Sequence, residues 1–69
     1  MAQEQADRVE AALERIPEDY REVIVLSRYA GLSHAEIGEE MGRSQVAIRS
    51  LLSRALAQLA DELERTRVE

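Results

Sequence analysis

Residues 33–54 read SHAEIGEEMGRSQVAIRSLLSR and predict two helices joined by a tight turn. Ser33 and Glu36 have the spacing of a capping box, in which each side chain bonds a backbone N–H that the start of a helix leaves free. Gly42 ends this first, short helix, because glycine adopts the left-handed conformation at little cost. Ser44 then caps a longer helix. A short helix, a glycine turn and a second helix are typical of a helix–turn–helix unit, although an ordinary corner between two helices has the same pattern.

A glycine inside the first of these helices, Gly38, needs a separate reason. Glycine costs about 1 kcal/mol relative to alanine within a helix. Close approach of the following helix, which a Cβ atom would obstruct, supplies that reason. The buried contact between the two helices is predicted to come from Ile37, Met41, Ile48 and Leu51 or Leu52.

Two further helices are predicted before this unit. Apolar residues recur at spacings of three and four over residues 3–15, and Pro17 ends that helix and begins the next. The next helix is predicted over residues 18–30, ending at Gly31. The run of four apolar residues at 23–26 also fits a short strand, but no second strand is available to pair with it. The inward positions of the first helix are predicted to be Ala6, Val9, Leu13 and Ile16.

The prediction is therefore an all-α, four-helix domain that contains a helix–turn–helix. It forms a single domain over residues 1–69, with helices at about 3–15, 18–30, 34–41 and 45–65. The 69 residues include 45% hydrophobic and 3% aromatic residues, three Gly and one Pro, which favours helices over a sheet. Tyr20 and Tyr29 are expected in the core or at its edge.

Several kinds of protein are excluded by what the sequence lacks. No apolar run is long enough to span a membrane, and the first four residues do not begin a signal peptide. The absence of Cys fits a reducing compartment, so a cytoplasmic location is expected. The single histidine, His34, has no second His or Cys with which to bind a metal, and no serine has a base beside it. We therefore expect no enzyme activity, no cofactor, no metal and no small-molecule substrate.

The charge is concentrated in one part of the chain. The net charge is −5, yet residues 43–60 contain three Arg and no acidic residue. On a helical wheel the outward side of the last helix carries arginines and short hydroxyl side chains, which suit phosphate groups and base edges. A merely solvated polar face is the simpler reading, but such a face would ordinarily include acidic residues. The predicted DNA-binding residues are Arg43, Ser44, Gln45, Val46, Arg49, Ser50, Ser53 and Arg54.

Three stretches carry a family resemblance. Residues 18–23 (EDYREV), 31–37 (GLSHAEI) and 49–55 (RSLLSRA) resemble, in order and spacing, region 4 of bacterial sigma factors of the sigma-70 family. The resemblance is strongest to the extracytoplasmic-function type, and it extends from about Val9 to Leu59.

This resemblance implies a function and a set of partners. Region 4 reads the −35 promoter element through its recognition helix, here residues 45–65, in the major groove. It also docks on the flap of the RNA polymerase β subunit for transcription initiation, and it is a common target of anti-sigma factors. The DNA-contacting positions of the family fall on Arg49, Ser50, Ser53 and Arg54, with Arg43 and Ser44 at the entry to the helix.

The sequence also departs from the family pattern. Val46-Ala47 stands where many members have Gly-Thr, and Leu51 or Leu56 stands where many have a further basic residue. These changes are expected to weaken phosphate contacts, although Val46 suits the methyl group of thymine. The sigma region that binds the −10 element has no counterpart. The resemblance thus implies an excised domain, or a truncated or unusual member, that binds DNA weakly by itself.

Two alternatives are also consistent with the sequence. The first is a protein-interaction module, for example one bound by an anti-sigma factor, which the net charge of −5 favours. The second is a helix–turn–helix of a dimeric response regulator or repressor that pairs through leucines of the last helix. A small domain needs those leucines for its own core, so this alternative ranks behind the first.

Overall fold

Four helices make up the computed structural model, which describes the backbone of residues 2–65 and the side chains of residues 7–65. No residue between 2 and 65 lies in a strand, and a turn at residues 42–44 joins the last two helices, so the predicted all-α fold with a helix–turn–helix is confirmed. The predicted domain over 1–69 also includes Met1 and residues 66–69, which lie outside the described residues, as does the side chain of Ala6. The helices are α1 (Ala2–Arg15), α2 (Glu18–Ile24, continued by a π-helical segment Val25–Tyr29), α3 (His34–Met41) and α4 (Gln45–Arg65).

Helix α4 is the element against which the other three pack. It has 21 residues, and at 1.5 Å per residue it is about 32 Å long. The longest dimension of the molecule is 40 Å. A single helix therefore spans most of the molecule and supplies one wall of the core.

The core is formed by apolar side chains alone. Among the described residues no polar or charged residue is buried. Burial of apolar surface, at roughly 25 cal/mol per Å², is therefore the main stabilising contribution to the interior. The buried residues are Ala12, Leu13 and Ile16 near the end of α1, Val23 and Ile24 of α2, Ile37 of α3, and Ile48, Leu51, Leu52 and Ala55 of α4. Met41, predicted to be buried, is only half-buried, but it packs against this core.

Helix α2 begins at Glu18 as predicted, with Pro17 as its N-cap residue, and its continuation is wound more widely than an α-helix. The Arg21 N–H donates to the Pro17 carbonyl at 3.0 Å, and the Ala30 N–H donates to the Val25 carbonyl, five residues back, at 3.0 Å. The segment ends at Gly31, whose φ of 73° lies in the left-handed region. The apolar run at 23–26 is therefore helical, and the strand alternative is wrong.

The two tyrosines differ in burial. Tyr20 is half-buried and packs against the core, as expected. Tyr29 is 63% exposed, which contradicts the expectation that it lies in or beside the core. Its position at the end of the π-helical segment gives the physical reason. A π-helix holds more residues per turn than an α-helix, so faces calculated at 100° per residue do not apply beyond Ile24.

Helix α3 starts at the predicted capping box. The Ser33 N–H donates to a Glu36 carboxylate oxygen at 2.8 Å, and the Glu36 N–H donates to the Ser33 hydroxyl oxygen at 3.1 Å. The helix ends at Gly42, with φ 69° and ψ 36°. Both ends of this helix are thus determined by the residues that the sequence pattern singles out.

The turn after α3 folds back tightly onto Gly38. The Arg43 N–H donates to the Gly38 carbonyl at 2.9 Å. A Cβ atom at Gly38 would lie 2.5 Å from the carbonyl oxygen of Arg43 and 3.7 Å from Cγ1 of Ile48. The predicted close approach is present, but the tightest neighbour is the backbone of the turn rather than the next helix.

Candidate nucleic-acid interface

The first turn of α4 is fixed by Ser44. Its hydroxyl oxygen accepts the Ala47 N–H at 3.1 Å, and its carbonyl accepts the Ile48 N–H at 3.0 Å. The main role of the Ser44 hydroxyl is therefore to cap α4. Its own O–H remains a donor that can reach an acceptor outside the protein.

Over the first half of α4, residues 45–54, six exposed residues lie on the side that faces away from the core. We call them the outer face of α4. Val46, Arg49, Ser50 and Ser53 follow one another at spacings of three, one and three, which places them on one stripe of the helix. The buried residues of α4 lie on the opposite stripe, so the predicted division of this helix into two faces matches the structure. The outer face is made of Gln45, Val46, Arg49, Ser50, Ser53 and Arg54.

Two arginines of the outer face keep their guanidinium groups available. Within residues 7–65, neither Arg49 nor Arg54 forms an ion pair. Each guanidinium presents five N–H donors in a planar arrangement that matches a phosphate or the acceptor edge of guanine. The outer face therefore combines positive charge with free hydrogen-bond donors.

Arg43 differs from these two arginines, because folding brings an acidic residue to it. Its guanidinium lies 3.5 Å from a carboxylate oxygen of Asp19, and each of the two side chains is 43% exposed. The other carboxylate oxygen of Asp19 accepts the Tyr20 N–H at 2.9 Å. The stretch 43–60 contains no acidic residue, but in the folded chain the carboxylate of Asp19 lies beside it. No local pattern in the sequence signals the pair, since its members belong to distant parts of the chain.

A second acidic residue lies near the other end of the outer face. Arg54 lines a shallow groove of about 380 Å³ together with Tyr20, Gln58 and Asp61. The carboxylate of Asp61 is 3.8 Å from the guanidinium of Arg65, on the next turn of α4. The basic surface is thus bounded by carboxylates at both ends. The boundary at Asp61 follows from the end of the acid-free stretch 43–60 in the sequence, whereas the boundary at Asp19 was not predicted.

Other kinds of site find no support in the described part of the chain. Among those residues no group of three or more His, Cys, Asp or Glu is placed to hold a metal ion. None of the described helices is long and apolar enough to cross a bilayer. His34 is partly exposed in the first turn of α3.

A short capped helix, a glycine turn and a second helix with an exposed, basic outer face define a helix–turn–helix protein. The comparison with known families makes this more specific. The family described as sigma-70, region 4 matches residues 6–59, and the chain belongs to that family.

The relatives of the chain are sigma factors. It is 40% identical over 52 residues to RNA polymerase sigma factor SigF of Mycobacterium tuberculosis, a match that covers 75% of this chain and 20% of that protein. It is 34% identical over 56 residues to RNA polymerase sigma factor SigZ of Bacillus subtilis (81% and 32%). It is 38% identical over 55 residues to ECF RNA polymerase sigma factor SigE of Mycolicibacterium smegmatis (80% and 21%). The chain thus spans about a fifth to a third of the length of these relatives. No solved structure matches it significantly.

Proposed function

We propose that this chain is the promoter-binding domain of a sigma factor, which reads the −35 element with the outer face of α4 and docks on RNA polymerase in the cytoplasm. One observation carries the proposal. The second helix of a helix–turn–helix, in a member of the sigma-70 region 4 family, exposes a face on which Arg49 and Arg54 form no ion pair within the described residues. The proposed activity is recognition of DNA, not catalysis.

The dimensions and chemistry of α4 suit a major groove. An α-helix with its side chains is about 10–12 Å across, and the major groove of B-DNA is about 12 Å wide. Arg49 and Arg54 donate to phosphate oxygens and to guanine edges, while Ser50 and Ser53 are short enough to let the helix approach closely. Gln45, at the start of α4, reaches base edges, because the N-terminal residues of a recognition helix enter the groove first.

The net charge of the chain limits the affinity for DNA that we expect. The net charge of −5 opposes approach to DNA, and few arginines are available to neutralise phosphates. Each phosphate contact contributes about 0.9 to the slope of log K against log salt concentration. The isolated chain should therefore bind duplex DNA weakly, and only at low salt.

A separate surface is available for RNA polymerase. Glu18, Arg21, Glu22, Val25 and Leu26 line a shallow groove of about 380 Å³, to which α4 contributes no residue. The groove combines apolar and charged side chains, as protein–protein contact surfaces do. Because it shares no residue with the outer face of α4, polymerase and promoter DNA can be bound at the same time.

A second candidate function uses this same groove without DNA. The net charge of −5 and the groove along α2 also fit a module that binds a protein, such as an anti-sigma factor, and does not bind DNA by itself. The two functions predict different roles for the arginines of α4. Only the first requires Arg49 and Arg54.

The test is a double substitution, Arg49→Ala with Arg54→Ala. The probe is a fluorescein-labelled duplex that the chain itself has enriched from a random pool at low salt, and binding is followed by anisotropy. We expect the double variant to bind at least tenfold more weakly, and the slope of log K against log salt to decrease by about 1.8 for two lost phosphate contacts.

The control removes the same charge elsewhere. Arg8 and Arg15 are exposed on α1, and Arg8→Ala with Arg15→Ala should leave both the affinity and the salt slope close to wild type. If the two double variants bind equally well, α4 is not the DNA-binding element. If no duplex is enriched at all, the protein-interaction function is favoured instead.

A further inference from the structure

Val46 is the apolar exception on the outer face of α4. It is 80% exposed, more than Tyr29, the other large hydrophobic residue that is exposed in the described part of the chain. It does not belong to the core or to the half-buried side chains packed against it. Its isopropyl group therefore contributes little to folding in the free chain.

The exposed neighbours of Val46 on α4 are polar or basic. Arg49 and Ser50, one turn further along α4, share its stripe of the helix, and Gln45 and Val46 are the first two residues of that helix. All four side chains are exposed, and none of them is acidic. An apolar group thus lies within a surface that otherwise suits phosphates and base edges.

The major groove contains one apolar group that such a side chain can recognise. This group is the C5 methyl of thymine, since the other main recognition groups presented there are hydrogen-bond donors or acceptors. An isopropyl group placed against such a donor or acceptor would leave it without a partner, which is unfavourable. Valine is also restricted at χ1, so little side-chain freedom is lost on contact.

We propose that Val46 makes this chain selective for a thymine beneath the first turn of α4, through contact between its methyl groups and the C5 methyl of the base. The proposal rests on the proposed function, because it needs α4 in the major groove. It adds a specific requirement to that function. The preferred duplex has a thymine at a fixed position relative to the contacts of Arg49.

The experiment removes one methyl group at a time. In the enriched duplex described above, each thymine is replaced in turn by deoxyuridine, which differs only by the C5 methyl. For the wild-type chain we expect one position at which this replacement weakens binding about fourfold, as expected for the loss of one buried methyl group. For Val46→Ala the same replacement should have no effect, while replacements elsewhere should act as they do in wild type.

Two further variants sharpen the comparison. Val46→Thr keeps one methyl group and the branched shape, and should retain part of the sensitivity to uracil. Tyr29→Ala removes the other exposed large hydrophobic side chain, and its sensitivity to uracil should equal that of wild type. Neither position is buried, so circular dichroism should show the same helix content and a similar Tm for all variants.

The outcomes separate this inference from the function on which it rests. Failure to enrich any duplex overturns the proposed function and this inference together. Enrichment followed by equal uracil effects in wild type and Val46→Ala overturns this inference alone. A Val46→Ala chain that binds every duplex like wild type but loses RNA polymerase assigns the side chain to a protein contact, and this also overturns the inference.

Discussion

Replacement of Gly38 by alanine tests whether the turn of the helix–turn–helix is packed as the structure shows. The added Cβ would lie 2.5 Å from the carbonyl oxygen of Arg43, well inside ordinary contact at 3.4–4 Å. Both groups belong to the backbone or are attached directly to it, so no side-chain rotation relieves the overlap. The turn itself must shift, and this strains the hydrogen bond from the Arg43 N–H to the Gly38 carbonyl.

The size of the effect follows from two opposed contributions. In a free helix, alanine at this position would stabilise by about 1 kcal/mol relative to glycine. Overpacking of a well-packed site costs about 1–3 kcal/mol, and a rigid backbone neighbour favours the upper part of that range. We therefore expect Gly38→Ala to lower the free energy of unfolding by about 1–2 kcal/mol. For a domain of this size the Tm should fall by about 5–15 °C.

Thermal unfolding followed by circular dichroism at 222 nm measures this change. A control in the same helix, Ala35→Gly, lies at an exposed position in the first turn and should lose up to about 1 kcal/mol through helix propensity alone. Suppose that Gly38→Ala instead raises the Tm by as much as Ala35→Gly lowers it. Propensity would then be the only contribution, and the tight contact between α3 and the turn would be refuted.

Two further predictions concern the surfaces beside α4. If Arg43 binds a DNA phosphate as proposed, Asp19→Asn removes a carboxylate that competes for its guanidinium. Since exposed pairs contribute about 0–1 kcal/mol, duplex affinity should then increase up to about fivefold. Anisotropy titrations of the duplex measure this gain. The control is Asp7→Asn, which makes the same change of charge at an exposed position. Equal gains in affinity for both variants would contradict the prediction. Val25→Glu places a charge in the groove along α2 and should reduce capture by purified RNA polymerase core enzyme at least tenfold, with duplex binding unchanged. The control is Ala35→Glu. If RNA polymerase captures the two variants equally, the groove is not the docking surface.

Local patterns were sufficient to predict much of this fold. Ser33 and Glu36 bond each other's backbone within one helical turn, so their spacing alone locates the start of α3. Gly42 ends that helix because of its own conformational freedom. The two faces of α4 follow from a single period over 21 residues, which has room for only one buried stripe.

The features that were not predicted depend on distant parts of the chain or on unusual winding. Asp19 reaches Arg43 only after α2 and the turn have packed together. Tyr29 is exposed because the segment before it is π-helical, and hydrophobic periodicity contains no signal for that change of winding. For Gly38 the sequence predicted close contact with the next helix, but the nearest atom belongs to the backbone of the turn. The path of that backbone is fixed by its hydrogen bonds, which leave no signal in the side-chain pattern.

The separation of α4 into a buried and an exposed stripe has a consequence for engineering. Substitutions on the exposed stripe change no buried contact, so if this stripe reads DNA as proposed, its sequence preference can be altered with little effect on stability. A library at a few of these positions, selected against several promoters, should yield orthogonal variants that share one unchanged scaffold.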